Sequence, residues 1–340
     1  MIRSLIATIL VCSTPVGYGY RSRIGSPGLR KHQVSADQTM NQVVQWNRIL
    51  LEIVRTPAAQ PPTIHATRSF AIMHAAIYDA VNSIGGTNKP YLARVSGVPA
   101  GASQDAAAAV AAHDVLISLY PSFQSMLDAS LQSSLVLVAD GDAKTAGMDA
   151  GRTAADSILE VRAADNASSV PQPFVPGTDP GDYQLTPPNF PKPAFTSWAL
   201  VTPFALSRAD QFRPGPPPAL TSDAYARAFN EVKGLGQDSS STRSSDQTVI
   251  GRFWGGAIQN YWNEIAQTAV LARGLDTQRS ARVFALLNLS LADTVIAFYD
   301  AKYTYRFWRP VTAIRAADLD NNPKTEGDSN WLPLPTNTAP

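Results

Sequence analysis

Lys302 and Arg309 are the residues of this 340-residue chain whose types and spacing point most directly to chemistry. Both are cations in a stretch otherwise rich in apolar and aromatic side chains, Phe298-Tyr299-Asp300-Ala301-Lys302-Tyr303-Thr304-Tyr305-Arg306-Phe307-Trp308-Arg309-Pro310. On a continuous helix the two lie two turns apart, roughly 10 Å of rise, and long flexible side chains can converge from there on one small anion. The guanidinium offers a planar fork suited to a tetrahedral oxyanion. A carboxylate from another helix would serve as well, because buried charges are usually paired within the protein. Spacing alone leaves both readings open.

The remaining residue types give little competition. The four histidines, His32, His65, His74 and His113, lack the paired spacing of a zinc motif, so each reads as a structural, hydrogen-bonded imidazole. There is no Gly-x-Ser-x-Gly, no phosphate loop and no dinucleotide fingerprint. The single cysteine, Cys12, excludes an internal disulfide or a thiolate metal cage. A formal net charge of +1, with Lys and Arg scattered along the chain, argues against a nucleic-acid partner.

The elements that must position Lys302 and Arg309 read as helices. A long helix starting at Asp276 or Thr277 is expected to run to about Trp308 and to stop before Pro310. Its residues Val283, Leu287, Leu291, Thr294, Phe298, Lys302, Tyr305 and Arg309 share one stripe, expected to face inward. Upstream, apolar residues recur at three and four spacing from about Ala36 to Asn82, with a helix start at Pro61-Pro62-Thr63 and a stop at Gly85-Gly86. Alanine-rich runs at 106–112 and 143–164 predict two more helices, and further helices are expected at 222–235 and 246–273. No strand alternation is evident in the N-terminal half. The fold class is therefore all-α, a helical bundle interrupted by a long proline-rich loop at 170–220. That loop carries Phe190, Phe195, Trp198, Phe204 and Phe212, too many aromatics for a flexible linker, and reads as a wall or cover over another surface.

The N-terminus reads as an export signal over residues 1–19, with Arg3 followed by an apolar run too short to span a bilayer. A linker at 20–35, an N-terminal helical region at 36–169, the covering loop at 170–220 and a C-terminal helical region at 221–340 complete the organisation. The expected location is periplasmic or extracellular, with no membrane span.

Lysine, six residues, then arginine-proline is the first signature of the vanadium-dependent haloperoxidase and type-2 phosphatidic-acid-phosphatase superfamily, and Lys302 to Pro310 fits it. The surroundings, Ala281 to Asn288 and Val311 to Arg315, together with His74 to Asn82, Phe229 to Lys233 and Asp246-Gln247-Thr248, resemble the bacterial haloperoxidase-like branch. The resemblance implies a packed helical fold, with Lys302 and Arg309 binding vanadate, or phosphate as a competing oxyanion. It places Tyr299, three residues before the lysine, where an aromatic helps line the halide site in some members. The implied substrates are hydrogen peroxide and halide, or a phosphate ester. The family's second signature, Pro-Ser-Gly-His, and the third, which carries a further arginine and the catalytic histidine, do not occur in these residues. The simplest reading is a truncated frame, haloperoxidase-like but inactive as given. An acid phosphatase of the same superfamily and a non-catalytic oxyanion-binding remnant are the alternatives.

Overall fold

The computed structural model describes residues 41–334 apart from 62, 63, 87, 93 and 94. The expected export signal, the linker at 20–35, Cys12 and His32 lie outside the described residues. Among the described residues there is no strand, and the helices are α1 (Gln42–Arg55), α2 (Ala66–Gly85), α3 (Gln104–Leu119), α4 (Gln124–Val136), α5 (Asp142–Arg162), α6 (Asp223–Gly236), α7 (Ser245–Trp254), α8 (Ile258–Ala272), α9 (Thr277–Tyr305) and α10 (Pro310–Arg315).

The central helix is α2, in which every residue from Ala66 to Ile84 except Tyr78 is buried. It packs against α3, α5 and α9. Its apolar spacing continues around the whole circumference, so it has no solvent face to keep polar. His65 caps its N-terminus by accepting the Thr67 N–H, in place of the Thr63 start expected from sequence, and Gly86 ends it in the left-handed conformation at φ 63°. The alanines of α3 let α5 approach closely. A Cβ at Gly147 would stand 2.3 Å from the Ser103 carbonyl oxygen, and one at Gly151 would stand 2.5 Å from that of Ala107. Any side chain there forces these helices apart.

Three differences from the sequence reading have local causes. The segment 124–136 forms α4, whose apolar residues show almost no one-sided pattern and bury only Leu127 and Ser134. The expected helix at 246–273 is divided into α7 and α8, with Gly255 and Gly256 between them. The last long helix begins at its Asp276 cap but ends at Tyr305, because Arg306 adopts the left-handed conformation at φ 48°.

The stripe assigned to α9 is also rotated. The buried side carries Ala281, Phe284, Ala285, Asn288, Leu289, Ala292, Ile296 and Tyr299, whereas Phe298 is 52% exposed and Thr294 is exposed. Apolar residues surround most of this helix, so periodicity alone does not select a face. Polar residues fix the rotation instead. Asn288 exchanges hydrogen bonds with Asn263 of α8 at 2.9 and 3.0 Å, and Asp293 is buried beneath the proline-rich segment. By length and composition α9 could cross a bilayer, but it packs against α1, α2, α3 and α8 as a core helix does.

Within 170–220 the chain forms only one short 3-10 turn, Trp198–Leu200. Asp293 ties this segment to α9 by accepting the N–H groups of Phe204, Ala205 and Leu206 at 2.6, 2.7 and 2.8 Å. Arg162 at the end of α5 donates to the carbonyls of Thr202 and Pro203 and lies 3.6 Å above the Phe204 ring. Beneath it, Arg68 and Asp165 form a buried bidentate pair at 2.8 and 3.1 Å. Arg213 pairs with Asp300 through two bonds of 2.6 and 2.8 Å.

Candidate oxyanion site

The end of α9 and the turn into α10 build the site. Arg306 donates its backbone N–H to the Lys302 carbonyl as the helix closes, and its own carbonyl accepts the Tyr183 N–H at 2.6 Å. The Trp308 N–H then donates to the Gly181 carbonyl at 2.8 Å, so residues 181–183 pin the turn on both sides. Arg309 stands just before α10, with Pro310 as the first helical residue, a position that costs proline nothing. The helix therefore does not carry both cations on one stripe. They are related through a sharp, braced turn.

Lys302 is half-buried, and its Nζ lies 5.2, 5.4 and 5.8 Å from the ring centres of Tyr303, Tyr299 and Phe298. Burial first, and then the charge of Arg309, lower its pKa to about 8. Arg309 is exposed, and its guanidinium lies 5.7 Å from the centre of the Tyr183 ring. Among the described residues neither side chain forms an ion pair, and neither makes a hydrogen bond to another side chain. The carboxylate nearest in sequence, Asp300, is engaged by Arg213. The site thus holds two mutually repelling cations with no internal anion between them.

Tyr299 is buried, and its phenol is pushed up by burial. It packs in an aromatic cluster with Phe195 at 5.6 Å, Tyr303 at 6.0 Å and His65 at 6.4 Å between ring centres. Tyr303 donates its hydroxyl to the Ala194 carbonyl and Tyr305 to that of Pro214, so the proline-rich segment holds the end of α9 on two sides. The sequence reading missed Tyr183, Tyr303 and His65 as neighbours. Tyr183 and His65 come from segments with no motif of their own, but Tyr303 lies inside the signature.

No histidine other than His65 comes near this aromatic cluster among the described residues. His65 is held neutral, its pKa lowered to about 4 by burial, while its Nδ1 accepts the Thr67 N–H. His74 is fully buried, bonded through Nε2 to Asn47 at 2.9 Å and lowered to about 3 by burial. His113 lies between Asp114 and Asp128 at 2.7 and 2.9 Å.

Residues 282–340 match the sequence profile described as the VCPO second helical-bundle domain. The vanadium chloroperoxidase of Curvularia inaequalis is 26% identical over 176 residues, a match spanning 43% of this chain and 28% of that protein. The chain thus aligns with less than a third of this curated relative. A bacterial vanadium-dependent iodoperoxidase structure superposes with a TM-score of 0.63 at 25% identity, over 81% of this chain and 70% of that one. The holo form of a bacterial vanadium-dependent chloroperoxidase gives 0.57 at 15% identity, over 78% and 67%. This chain has the all-α fold of the vanadium haloperoxidases, and its C-terminal part, from the second turn of α9 onward, is similar to their second helical-bundle domain.

Proposed function

We propose that Lys302 and Arg309 form the first part of a vanadate-binding site in a vanadium-haloperoxidase-like protein, and that phosphate competes for it. The observation that carries this reading is the pair of neighbouring cations with no carboxylate between them. An internal ion pair would have left Lys302 near its ordinary value; instead its pKa is depressed, as expected of a cation that gains a counter-charge only when an anion arrives. The residues therefore fit a tetrahedral oxyanion. When bound, vanadate would supply the means by which hydrogen peroxide oxidises halide, the activity class carried by the names of the relatives. Lys302 and Arg309 would hold negative charge on the anion by charge-assisted hydrogen bonds. Tyr299, with Phe298 and Tyr303, would supply the aromatic wall on the Lys302 side.

An acid phosphatase would need a nucleophile beside this pair. His65 packs against Tyr299, but it is committed to capping α2 and is buried in its neutral form, so no observation favours that reading. For residues 1–340 alone the expectation is oxyanion binding without turnover. The reading of residues 1–19 as an export signal stands as a proposal beside this one, supported by Arg3 and the apolar run behind it.

Calorimetric titration of the purified chain with vanadate, and with phosphate in competition, tests the assignment. Saturable vanadate binding that phosphate displaces is the expected result, with no oxidation of bromide or iodide in the presence of peroxide. Absence of any oxyanion binding would remove the reading, and robust halide oxidation by these residues alone would show that other groups complete the site.

A further inference from the structure

Arg309 is exposed and, among the described residues, its side chain makes neither an ion pair nor a hydrogen bond. Rotamer freedom and repulsion from Lys302 both favour swinging such a side chain out into water. Its charge nevertheless acts on Lys302. What the guanidinium meets is the ring of Tyr183, whose centre lies 5.7 Å from its central carbon, within the range of cation–π attraction.

Tyr183 is itself held firmly, although it belongs to the proline-rich segment and to no helix. It is 5% exposed. Its N–H donates to the Arg306 carbonyl at 2.6 Å and its carbonyl accepts the Gly177 N–H at 3.1 Å. The small loop closed in this way is tight, since a Cβ at Gly177 would stand 2.4 Å from that of Asp182. On the ring side, Phe174 meets Tyr183 edge-on at 5.1 Å and Tyr303 at 5.5 Å, and Tyr303 in turn lies 5.2 Å from the Lys302 Nζ. A continuous row of rings, Tyr183, Phe174 and Tyr303, therefore runs between the two cations. The residue whose amide bonds the turn before Arg309 also presents its ring to the Arg309 side chain.

We propose that Tyr183 is a positioning residue of the oxyanion site, its ring holding the Arg309 guanidinium within reach of an anion bound at Lys302. The proposal rests on the oxyanion reading of these two cations and adds to it a residue from the proline-rich segment. Because the hydrogen bonds of Tyr183 to Arg306 and Gly177 are made by its backbone, side-chain substitutions address the ring alone.

Calorimetric titration of the whole chain with sulfate at neutral pH tests it. Tyr183→Leu should weaken sulfate binding by about two- to five-fold, as expected for a cation–π contact at an exposed site. Tyr183→Phe, which keeps the ring, should restore the parent affinity. Pentafluorophenylalanine in place of Tyr183 keeps the shape and reverses the charge distribution of the ring, so it should weaken binding as Tyr183→Leu does, and it serves if the leucine variant fails to fold. In an Arg309→Gln background the loss of the ring should cost nothing further, whereas in a Lys302→Met background the full effect should remain. A parent that binds sulfate with an affinity indifferent to the leucine and fluorinated variants, a loss as large in Tyr183→Phe as in Tyr183→Leu, or an undiminished effect in the Arg309→Gln background would overturn the proposal and leave the oxyanion reading standing. A parent that binds no sulfate would remove both.

Discussion

Arg309 lies close enough to Lys302 for its charge to add to burial in pulling the lysine ammonium down to about 8, and no carboxylate relieves the pair. Two like charges held together by a braced turn are costly unless a counter-ion joins them. The first two predictions follow from this cost.

Replacing Lys302 or Arg309 by a neutral residue of similar length should weaken vanadate or phosphate binding by roughly ten- to a hundred-fold, since each charge-assisted hydrogen bond is worth on the order of 1.5–3 kcal/mol. Without an anion, Lys302→Met should melt no lower than the parent, because no partner charge is left uncompensated. Calorimetric affinity and anion-free melting temperature, measured on the same variants, check both halves. Unchanged affinity with a large loss of stability would identify an internal ion pair after all.

The depressed lysine also sets a pH dependence. Its folded pKa of about 8 lies below the ordinary 10.5, so between these values the unfolded chain holds a proton that the folded protein has released. Unfolding then takes up protons, and the Lys302 contribution to stability rises with pH across this window. Anion binding needs the charged ammonium and runs the other way, falling as pH rises above about 8. Sulfate is the clean probe, because its own charge is constant there. Its affinity should decline between neutral and alkaline pH in the parent and lose this decline in Lys302→Met.

Asp293 should matter more than its distance from the cations suggests. Asp293→Asn leaves one oxygen to serve three backbone N–H groups and places an amide donor among them, at a cost of roughly 1–3 kcal/mol. Faster limited proteolysis around 200–210, with α-helical content preserved, is the expected readout. A variant cleaved no faster than the parent would show that Arg162 holds the segment unaided.

His113 offers an independent test far from the site. Burial alone would lower its pKa, but hydrogen bonds and charge from Asp114 and Asp128 outweigh burial and raise it above 6.5. The stability it contributes should be fully present below 6.5 and disappear as pH rises through the raised value. Comparing the parent with His113→Gln in thermal melts from acid to neutral pH should show the two curves converging as pH increases.

The helical class and the two cations were legible in the sequence because they rest on short-range information: three-and-four spacing, Gly86 as a stop, and a lysine and arginine seven positions apart. The rotation of α9 was not, since its apolar residues surround it and the deciding contacts, Asn288 with Asn263 and Asp293 with the 204–206 amides, are long-range. The end of α9 was misjudged for a related reason. Pro310 marks a boundary, but Arg306 turns left-handed four residues earlier, where residues 181–183 bond to the turn. The aromatic surroundings of Lys302 were half visible: Tyr299 and Tyr303 lie in the signature, whereas Tyr183 and His65 arrive from distant segments.

The three amides bound to Asp293 carry a consequence for solvent exchange. Most of the proline-rich segment lacks regular backbone hydrogen bonding, so its amides should trade hydrogen for deuterium within the dead time of a manual experiment. Phe204, Ala205 and Leu206 are bonded to a carboxylate on the central part of α9 and can open only when the segment lifts from that helix. Their exchange should be slow, close to that of the α9 amides, and should lose its protection together with them in denaturant. A stretch without secondary structure would then report on the cooperative unfolding of the bundle core.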